Sequence, residues 1–453
     1  MIIIPRSSTG KRKKRYTFFN FDLMLLIILT VGFCALIIYG KIHGFALRDL
    51  LKMAFAGMRP AKNIVLVMLL VGALTALWRA GGTIAAIVSL ASGALIPSIF
   101  LPGVFLLCAI VSVLTGTSFG TAATMGVISM SVGNAMGISP AIVGGAALAG
   151  SYLGDRSSPV STSAILVAEV TKTDLYSNLH AMIRTAVVPF AISLLLYGIL
   201  GTFLFYFGPS EIGCGVSSIP ISDILQKHFH LNWMTFLPAA AILVLSIFRI
   251  NVKWTMLTSI AISVGICVEI QEYSIVQTLK FAFFGFKAPE EITTMMSGGG
   301  MVGMVPMLIT VLISMTYAGI FKGTNALRHV YSFAERISKK INPFGCTILT
   351  ATLTGMLCCN QTISIVLTND ICQKIVPNAA KRAIYIENSA VIIAPLIPWS
   401  VASLLPIGMM DAPTSSVLFA FYLFLIPIVN LFLNQQNSKQ DQRGKHKNCQ
   451  YTN

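Results

Sequence analysis

The sequence predicts an all-α polytopic membrane protein of two inverted-topology repeats, with broken helices, re-entrant hairpins and about 9–12 membrane segments. The first observation is composition: 55% of the 453 residues are hydrophobic and 11% are charged, whereas soluble domains carry about 25% charged residues. The second is a series of apolar runs, several of which reach the ~20 residues that a membrane-spanning helix needs. The third is an internal duplication whose two copies differ in charge.

Charge distribution argues against one alternative class. The net charge is +16, which by itself would suit a nucleic-acid-binding protein. The basic residues instead lie in short loops and at the termini, as the positive-inside rule expects of a membrane protein. The lipid bilayer is therefore the predicted partner, and nucleic acid is not. The nine cysteines show no metal-ligand spacing and are interpreted as free thiols, mostly buried.

Taken in order, the chain alternates apolar segments with short connectors. The apolar segments fall at about 19–40, 63–78, 102–135, 139–170, 182–207, 233–248, 254–271, 296–321, 344–358, 363–372, 383–410 and 412–433. Amphipathic connectors cover 41–62, 272–292 and 322–343, and 84–98 is expected to lie at the membrane interface. The predicted divisions are a basic N-terminal tail (1–18), a first repeat (19–207), a linker loop with a connecting span (208–253), a second repeat (254–433) and a polar tail (434–453).

The duplication is visible in one ungapped pair of segments. Residues 51–64 align with residues 279–292, and six of the fourteen positions are identical. Three shorter landmarks keep the same order around the two copies: Val-Gly-X-Cys at 31–34 and 264–267, Gly-Thr at 82–83 and 323–324, and Thr-Gly at 115–116 and 354–355. This pattern predicts two structurally related halves.

The two copies are expected to face opposite sides of the membrane. The first connector, 41–62, is strongly basic, whereas 272–292 balances lysines with glutamates. By the positive-inside rule the first copy is then cytoplasmic and the second is not, as an inverted repeat requires. This orientation places the N-terminus outside, while the basic run Lys11–Arg15 favours an inside N-terminus.

Polar breaks inside apolar segments indicate where function lies. Residues 154–163 interrupt an apolar stretch with ten polar or helix-breaking residues. Unsatisfied backbone groups cost several kcal/mol in hydrocarbon, so such a break must face protein or a wet cavity. Comparable breaks occur at Thr115–Thr121, Cys359–Thr362, Glu387–Ser389 and Ala394–Ser400. Paired broken spans in two halves are typical of secondary transporters.

Two carboxylates in these breaks are the candidate carriers of charge. Asp155 and Glu387 combine with hydroxyl and amide side chains, which are hard oxygen ligands that suit a small cation. The alternative for Asp155 is a structural ion pair with Arg156 or another arginine. Glu169 is expected on a solvated helix face, and Arg79 is expected to extend from a span end to the interface.

Several motifs resemble the NhaC family of Na⁺/H⁺ antiporters, within the ion transporter superfamily. The segments that carry the resemblance are Gly116–Thr121 (GTSFGT), Gly154–Ser161 (GDRSSPVS), Asn360–Val366 (NQTISIV), Glu387–Ser389 (ENS) and Ala394–Trp399 (APLIPW). The resemblance implies exchange of cations for protons across a bacterial cytoplasmic membrane, by a multi-pass protein. Some relatives exchange organic anions or amino acids instead.

Three departures from the family pattern concern charge. The family carries acidic residues where this chain has Thr162, Asn360 and Asn388. A neutral side chain can still bind Na⁺, but it cannot carry a proton. Proton coupling would then fall on Asp155 and Glu387, or the substrate would differ from Na⁺.

The candidate ion-, proton- and substrate-binding residues are the polar residues of the breaks. They are Thr117, Ser118, Thr121, Asp155, Arg156, Ser158, Ser161, Thr162, Ser163, Asn360, Gln361, Thr362, Glu387, Asn388, Ser389 and Ser400. Within this set, Asp155, Thr162, Asn360 and Asn388 are the predicted Na⁺ ligands. No cofactor is predicted beyond the transported Na⁺ or Li⁺ and H⁺.

The leading functional hypothesis is an antiporter that exchanges Na⁺ (or Li⁺) for H⁺ by alternating access. The alternative is a proton- or sodium-coupled antiporter of an organic anion or amino acid, such as malate/lactate or a basic amino acid. In that alternative Arg156 and helix N-termini would bind the substrate carboxylate. An intramembrane enzyme would need a nucleophile, acid pair or metal cluster at depth, and none is found in the sequence, so no enzymatic activity is predicted. A homodimer is expected as the assembly.

The opposite sidedness of the two copies can be tested with a matched pair of cysteines. Lys52→Cys and Lys280→Cys occupy the same position of the repeat. In a cysteine-free background in intact cells, a membrane-impermeant maleimide should label only Lys280→Cys, because the basic copy is cytoplasmic. Labelling of both positions from the same side would contradict the inverted repeat.

Overall fold

A computed structural model describes residues 21–59, 61–92, 97–207, 221–248, 250–324, 336, 338 and 341–433. The structure is 82% helical. The described residues contain no strand, apart from an isolated antiparallel bridge between Phe286 and Gly298. The predicted all-α class is therefore confirmed. The two terminal tails, the loop around Cys214 and most of the predicted surface helix 322–343 lie outside the described residues.

Ten helices form the first half of the chain. They are α1 (Phe21–Ile42), α2 (Leu47–Gly57), α3 (Ala61–Ala80), α4 (Thr83–Ser92), α5 (Pro97–Thr115), α6 (Ser118–Thr121), α7 (Val127–Ala135), α8 (Pro140–Ser157), α9 (Thr162–Thr171) and α10 (Leu175–Phe207). A π-helical turn, Ala122–Gly126, joins α6 to α7. Helix α10 begins seven residues before the predicted position of 182, because Leu175 follows an N-terminal turn held by Asp174.

Twelve described helices form the second half. They are α11 (Ile221–His228), α12 (Leu237–Ile247), α13 (Val252–Glu269), α14 (Ile275–Phe284), α15 (Thr293–Met296), α16 (Val305–Gly323), α17 (Pro343–Cys358), α18 (Gln361–Cys372), α19 (Ala379–Glu387), α20 (Ala390–Ile393), α21 (Val401–Met409) and α22 (Phe421–Leu433). Helix α11 is a short surface helix, whereas the longer helices of this half are apolar.

Six helices are long and apolar enough to cross a bilayer. Five of them lie in α1, α3, α5, α10 and α13, and the sixth, Val302–Phe321, consists of a short turn and most of α16. The segments Ala379–Leu396 and Val401–Met409, bent by 58°, make a seventh span if they count as one. The chain is therefore a multi-pass membrane protein. Five further apolar helices are shorter than a full span. The larger count of 9–12 segments, the inverted repeat and the domain limits stay predictions.

The predicted helix breaks are present. Helix α9 has 10 residues and α18 has 12, so at 1.5 Å per residue each is about 15–18 Å long, too short for the ~30 Å hydrocarbon core. Helices α17 and α18 pack against each other as a helical hairpin. The turn between them contains Cys359 in the left-handed conformation (φ 53°). A re-entrant placement of this hairpin remains a prediction.

Helix α8 lies at the centre of the molecule, and glycines let its neighbours approach. A Cβ atom at Gly150 would lie 2.4 Å from the Phe105 carbonyl oxygen, and one at Gly154 would lie 2.1 Å from the Ser112 carbonyl carbon of α5. On another face, a Cβ atom at Gly144 would meet the Ser416 hydroxyl at 2.6 Å. The small residues of α8 thus serve close helix packing, as their spacing predicts.

Helix α4, predicted to lie at the membrane interface, has an apolar face that is covered by protein. Ile84, Ala85 and Val88 are almost fully buried. The helix packs against α3, α7 and α11, so its apolar side chains are covered by protein. Hydrophobicity alone does not distinguish a helix covered by protein from a helix at the membrane interface.

Both copies of the repeat lie next to α3. Helix α2 directly precedes α3, and its Gly57 packs against the Gly319 backbone of α16. The second copy leads into a glycine loop on the far half of α3, where the Gly300 N–H donates to the Gly72 carbonyl oxygen at 2.6 Å. The opposite sidedness of the two copies stays a prediction.

Arg79 closes the far end of α3, contrary to the expectation that it extends to the interface. It is 8% exposed. Its guanidinium donates to the Ser297 carbonyl oxygen at 2.9 Å and forms a salt bridge with Asp411 at 3.5 Å. The interaction joins α3 to the glycine loop and to the turn after α21, since the backbone oxygen and the carboxylate replace water as partners.

Gly298 is the residue that makes room for Arg79. Its φ is +131°, and a Cβ atom there would lie 1.9 Å from Arg79 Nη1. Gly298→Ala should therefore lower the free energy of unfolding by about 2 kcal/mol or more, from backbone strain and overlap together. Thermal melting of the purified protein measures this loss.

Gly303→Ala is the matched control, because nothing lies within 4 Å of a Cβ atom at Gly303. Its melting temperature should stay near the parent value. In an Arg79→Ala background the cost of Gly298→Ala should shrink, since the overlap is gone and only the strain remains. An unchanged cost in that background would contradict the contact.

Candidate functional site

Three helices begin at the point where α8 ends. Asp155 lies in the last turn of α8. Thr117 caps α6, Ser161 caps α9 and Asn360 caps α18, each through a side-chain oxygen that accepts from a backbone N–H. Such capping residues satisfy N–H groups that a helix start leaves free. Polar residues that interrupt the apolar segments thus have a local role as helix starts.

The Asp155 carboxyl group is held by neutral donors from all three starts. The Ser163 hydroxyl and the Gln361 amide donate to Oδ2 at 2.9 and 3.2 Å. The Ser161 hydroxyl donates to Oδ1 at 3.4 Å, and the Ser118 backbone N–H adds a further hydrogen bond. The positive ends of the three helix dipoles face the same group, which stabilises negative charge there.

Asp155 has no cationic partner in the part of the chain that the structure describes. The salt bridge found among the described residues is that between Arg79 and Asp411. The alternative in which Asp155 pairs with an arginine to hold the break is therefore not observed. With 5% of its surface exposed, Asp155 is a buried carboxyl group that can be neutralised by a proton or by a cation.

A cavity of about 600 Å³ opens above Asp155. Its polar lining residues are Asn63, Thr117, Ser118, Asp155, Thr162, Ser163, Glu169, Asn360, Gln361 and Thr362. The remaining walls are apolar and come from α3, α6, α9, α13, α18 and α21. Among the described residues that line this cavity, two are carboxylic acids and none is Lys, Arg or His. The lining therefore suits a cation better than a free anion.

Arg156 points away from this cavity and connects four helices. Its guanidinium donates to the Thr185 hydroxyl at 2.7 Å, to the Met182 carbonyl oxygen at 3.3 Å and to the Tyr422 hydroxyl at 3.5 Å. It also donates to the Asn388 side-chain oxygen. Arg156 is fully buried, so its role in this conformation is to hold α8, α10, α19 and α22 together.

Glu387 is a second buried carboxylic acid. It is the last residue of α19 and is fully buried. Neither carboxyl oxygen has a hydrogen-bond partner among the described residues. Glu387 interacts electrostatically with Arg156 and with Asp155, but it does not line the cavity. A buried acid without partners is costly, so its presence points to a function.

Several candidate residues outside the cavity lining have partners that hold the breaks together. The Thr121 hydroxyl donates to the Thr117 carbonyl oxygen at 2.9 Å, and the Ser158 hydroxyl donates to the Val113 carbonyl oxygen at 2.7 Å. Ser400 caps α21. The candidates outside the cavity lining are Thr121, Arg156, Ser158, Ser161, Glu387, Asn388, Ser389 and Ser400. The other eight line the cavity.

Of the predicted Na⁺ ligands, Asp155, Thr162 and Asn360 share the cavity. Asn388 does not, because its side-chain oxygen accepts hydrogen bonds from Arg156 and Thr185. Sequence reasoning missed Glu169, which lines the cavity. The spacing of Thr162, Ile165, Leu166 and Glu169 marks one helix face and could have indicated it.

A buried carboxyl group at a convergence of broken helices, beneath a cavity in a multi-pass membrane protein, defines a secondary transporter. The sequence model of the Na⁺/H⁺ antiporter family matches residues 16–168 and 150–434. The chain belongs to this family.

Individual relatives are similar over nearly their whole lengths. The chain is 26% identical over 415 residues to the malate-2H⁺/Na⁺-lactate antiporter of Bacillus subtilis, covering 90% of this chain and 88% of the relative. It is 25% identical over 451 residues to the Na⁺/H⁺ antiporter NhaC of Alkalihalophilus pseudofirmus (92% and 94%). It is 24% identical over 377 residues to the arginine/ornithine antiporter ArcD of Halobacterium salinarum (81% and 77%).

The Arg156–Asn388 contact generates a test of stability. Asn388→Leu should lower the free energy of unfolding by about 1–3 kcal/mol, because a buried guanidinium loses an acceptor. Asn388→Asp keeps an acceptor and adds an opposite charge, so the melting temperature should be retained or raised. Equal losses in the two variants would contradict the role of Asn388 as the acceptor for Arg156.

Proposed function

We propose that the protein is a secondary antiporter that exchanges Na⁺ or Li⁺ for H⁺ by alternating access. The observation that carries the proposal is the Asp155 carboxyl group, buried at the floor of a cavity and bound only by neutral donors. A single carboxylate accepts either a proton or a monovalent cation. Competition for one group makes exchange obligatory, since the site crosses the membrane cheaply only when it is neutral.

The cation ligands are proposed to be oxygens around Asp155. Thr162, Ser163 and Asn360 supply hydroxyl and amide oxygens within the same cavity. Hard oxygen donors suit a small hard cation. Asn388 stays in the proposal as a positioning residue, because its oxygen is already bound to Arg156.

Glu387 is proposed as a second proton-binding group. It has no hydrogen-bond partner for either oxygen among the described residues, and it lies close enough to Asp155 and Arg156 for electrostatic interaction. A proton on Glu387 removes the cost of a buried unpaired charge. A proton or cation on Asp155 would then influence the protonation of Glu387 through the electrostatic interaction between the two groups.

In the proposed alternating access, the protein opens in turn near each of the two ends of α3. The cavity is lined by Asn63 and Ile64, near the start of that helix. At its other end Arg79 is bound to Asp411 and Ser297. Opening of the second side would require these contacts to break, while the walls of the cavity close.

A second candidate is a coupled antiporter of an organic acid or amino acid. It is favoured by the three helix N-termini at the cavity floor, which attract carboxylates, and by a volume of about 600 Å³, larger than an ion needs. The similarity to the malate/lactate and arginine/ornithine antiporters supports it. Arg156 would take no direct part, since it lies outside the cavity lining.

The proposed location is a bacterial cytoplasmic membrane. The relatives from Bacillus subtilis and Alkalihalophilus pseudofirmus are bacterial. Exchange, rather than chemical conversion of the substrate, is the proposed activity. A homodimer remains a prediction.

Ion-gradient flux in proteoliposomes tests the proposal. Imposed Na⁺ or Li⁺ gradients should drive a change of internal pH, while K⁺, malate, lactate and arginine should not. Asp155→Asn should reduce the Na⁺ response by at least about tenfold, because the carboxyl group on the cavity floor is lost. The second candidate predicts a response to malate, lactate or arginine instead.

Asp174→Asn is the matched control for Asp155→Asn. Asp174 is exposed and accepts from the Ser177 backbone N–H at 2.8 Å, and asparagine caps a helix as well as aspartate does. This variant should exchange at the parent rate. The proposal fails if Na⁺ drives no pH change, or if Asp155→Asn exchanges like the parent.

A further inference from the structure

The exposed face of α9 forms one wall of the cavity and carries a second acid. Thr162, Ile165, Leu166 and Glu169 all line the cavity. Their spacing of three, four and seven residues puts them on a single helix face. Glu169 lies about 10 Å farther along the helix than Thr162, at 1.5 Å per residue. It is exposed, whereas Asp155 is buried.

Two lysines lie near residues of the cavity lining: Lys172 follows Glu169 by three residues, and Lys253 follows Val252. Lys253 is held by Asn63, with 2.8 Å between Nζ and the amide oxygen. Lys172 follows α9 in the left-handed conformation that ends the helix. Among the described residues neither lysine forms a salt bridge with Glu169. The carboxylate therefore remains available to a cation in the cavity.

The surroundings of Glu169 strengthen its effect. Apolar side chains such as Ile64, Val67 and Val252 form part of the wall of the same cavity. Apolar walls of low dielectric constant concentrate the field of a charge within a cleft. A cation that leaves bulk water would therefore meet Glu169 before it reaches the hydroxyl groups around Asp155.

We infer that Glu169 is a specificity-determining residue, the outer cation-attracting group of this cavity. Glu169 selects cations over anions in the outer part of the cavity, and Asp155 binds the cation at the floor. The consequence for transport rests on the proposed function, whereas the effect on the potential inside the cavity does not.

A cysteine reporter in the cavity measures that potential directly. Ile165 is 37% exposed and precedes Glu169 by four residues. In a background without native cysteines, Ile165→Cys is treated with a cationic and an anionic methanethiosulfonate reagent, and the ratio of the two rates is taken. The measurement uses about 10 mM salt, where the Debye length is ~30 Å.

Glu169→Gln should lower the cation-to-anion rate ratio about tenfold, because one unit charge about 6 Å away changes each rate about threefold, in opposite directions. Glu169→Lys should lower it further, and Glu169→Asp should keep it near the parent value. The effect should diminish in about 1 M salt, where the Debye length is ~3 Å. If the role of Glu169 were only structural, the rate ratio would not follow the charge of the side chain at this position.

Glu269→Gln is the matched control. Glu269 is exposed at the end of α13, the helix whose first residue, Val252, lines the cavity. It should leave the rate ratio unchanged. A ratio unaffected by Glu169→Gln, or altered equally by Glu269→Gln, would overturn the inference.

Transport provides the second measurement. Glu169→Gln should raise the KM for Na⁺ about threefold without changing kcat, whereas Asp155→Asn should abolish exchange. If the parent protein exchanges no Na⁺ while the reagent ratio still depends on Glu169, the proposed function fails and the cavity role of Glu169 stands. If the parent exchanges Na⁺ and neither readout responds to Glu169→Gln, only the Glu169 inference fails.

Discussion

The attraction between one carboxyl group and three helix N-termini organises this molecule. Asp155 ends α8, and the starts of α6, α9 and α18 face it with hydroxyl, amide and backbone donors. Each of these helices could begin inside an apolar protein only because its free N–H groups are capped or directed at the cavity. The same polar residues therefore stabilise the breaks and line the cavity. The Asp155 carboxylate can lie inside the protein because α8 ends, and α6, α9 and α18 begin, at the same point.

Behind the cavity, Arg156 fixes the frame that this arrangement needs. A buried guanidinium must be satisfied by several acceptors, and these come from α10, α19 and α22. Asn388 serves as one of them although it is neutral, so the positive charge of Arg156 is not cancelled by a hydrogen-bonded carboxylate. Glu387, whose carboxyl oxygens have no hydrogen-bond partner within the described ranges, is the nearby acid whose charge that field affects most directly. Glu387 is thus linked to Arg156 by electrostatic interaction rather than by a hydrogen bond.

Local features were predictable from sequence, and long-range packing was not. The break at 154–163 was recognisable because charged and helix-breaking residues are expensive in an apolar run, and the structure confirms that α8 ends there. Whether a polar residue in a break faces the cavity depends on helix rotation, which no local pattern specifies. Arg156 and Asp155 are neighbours in sequence, yet Arg156 points toward α10 and Asp155 points to the cavity. Arg79 was misjudged for the same reason: its partners, Ser297 and Asp411, are far away in sequence.

The single charge on the cavity floor also bears on the valence of the substrate. The resemblance to the family implies acidic residues where this chain has Thr162 and Asn360, so among the described residues of the cavity floor Asp155 supplies the only full negative charge. One monovalent cation leaves the floor neutral. A divalent cation would leave an excess positive charge in a poorly solvated site, opposed by three helix N-termini. The neutral replacements therefore narrow the set of cations that the floor can hold, and they leave Glu169, farther out and better solvated, as the place where attraction can be strong without a comparable cost.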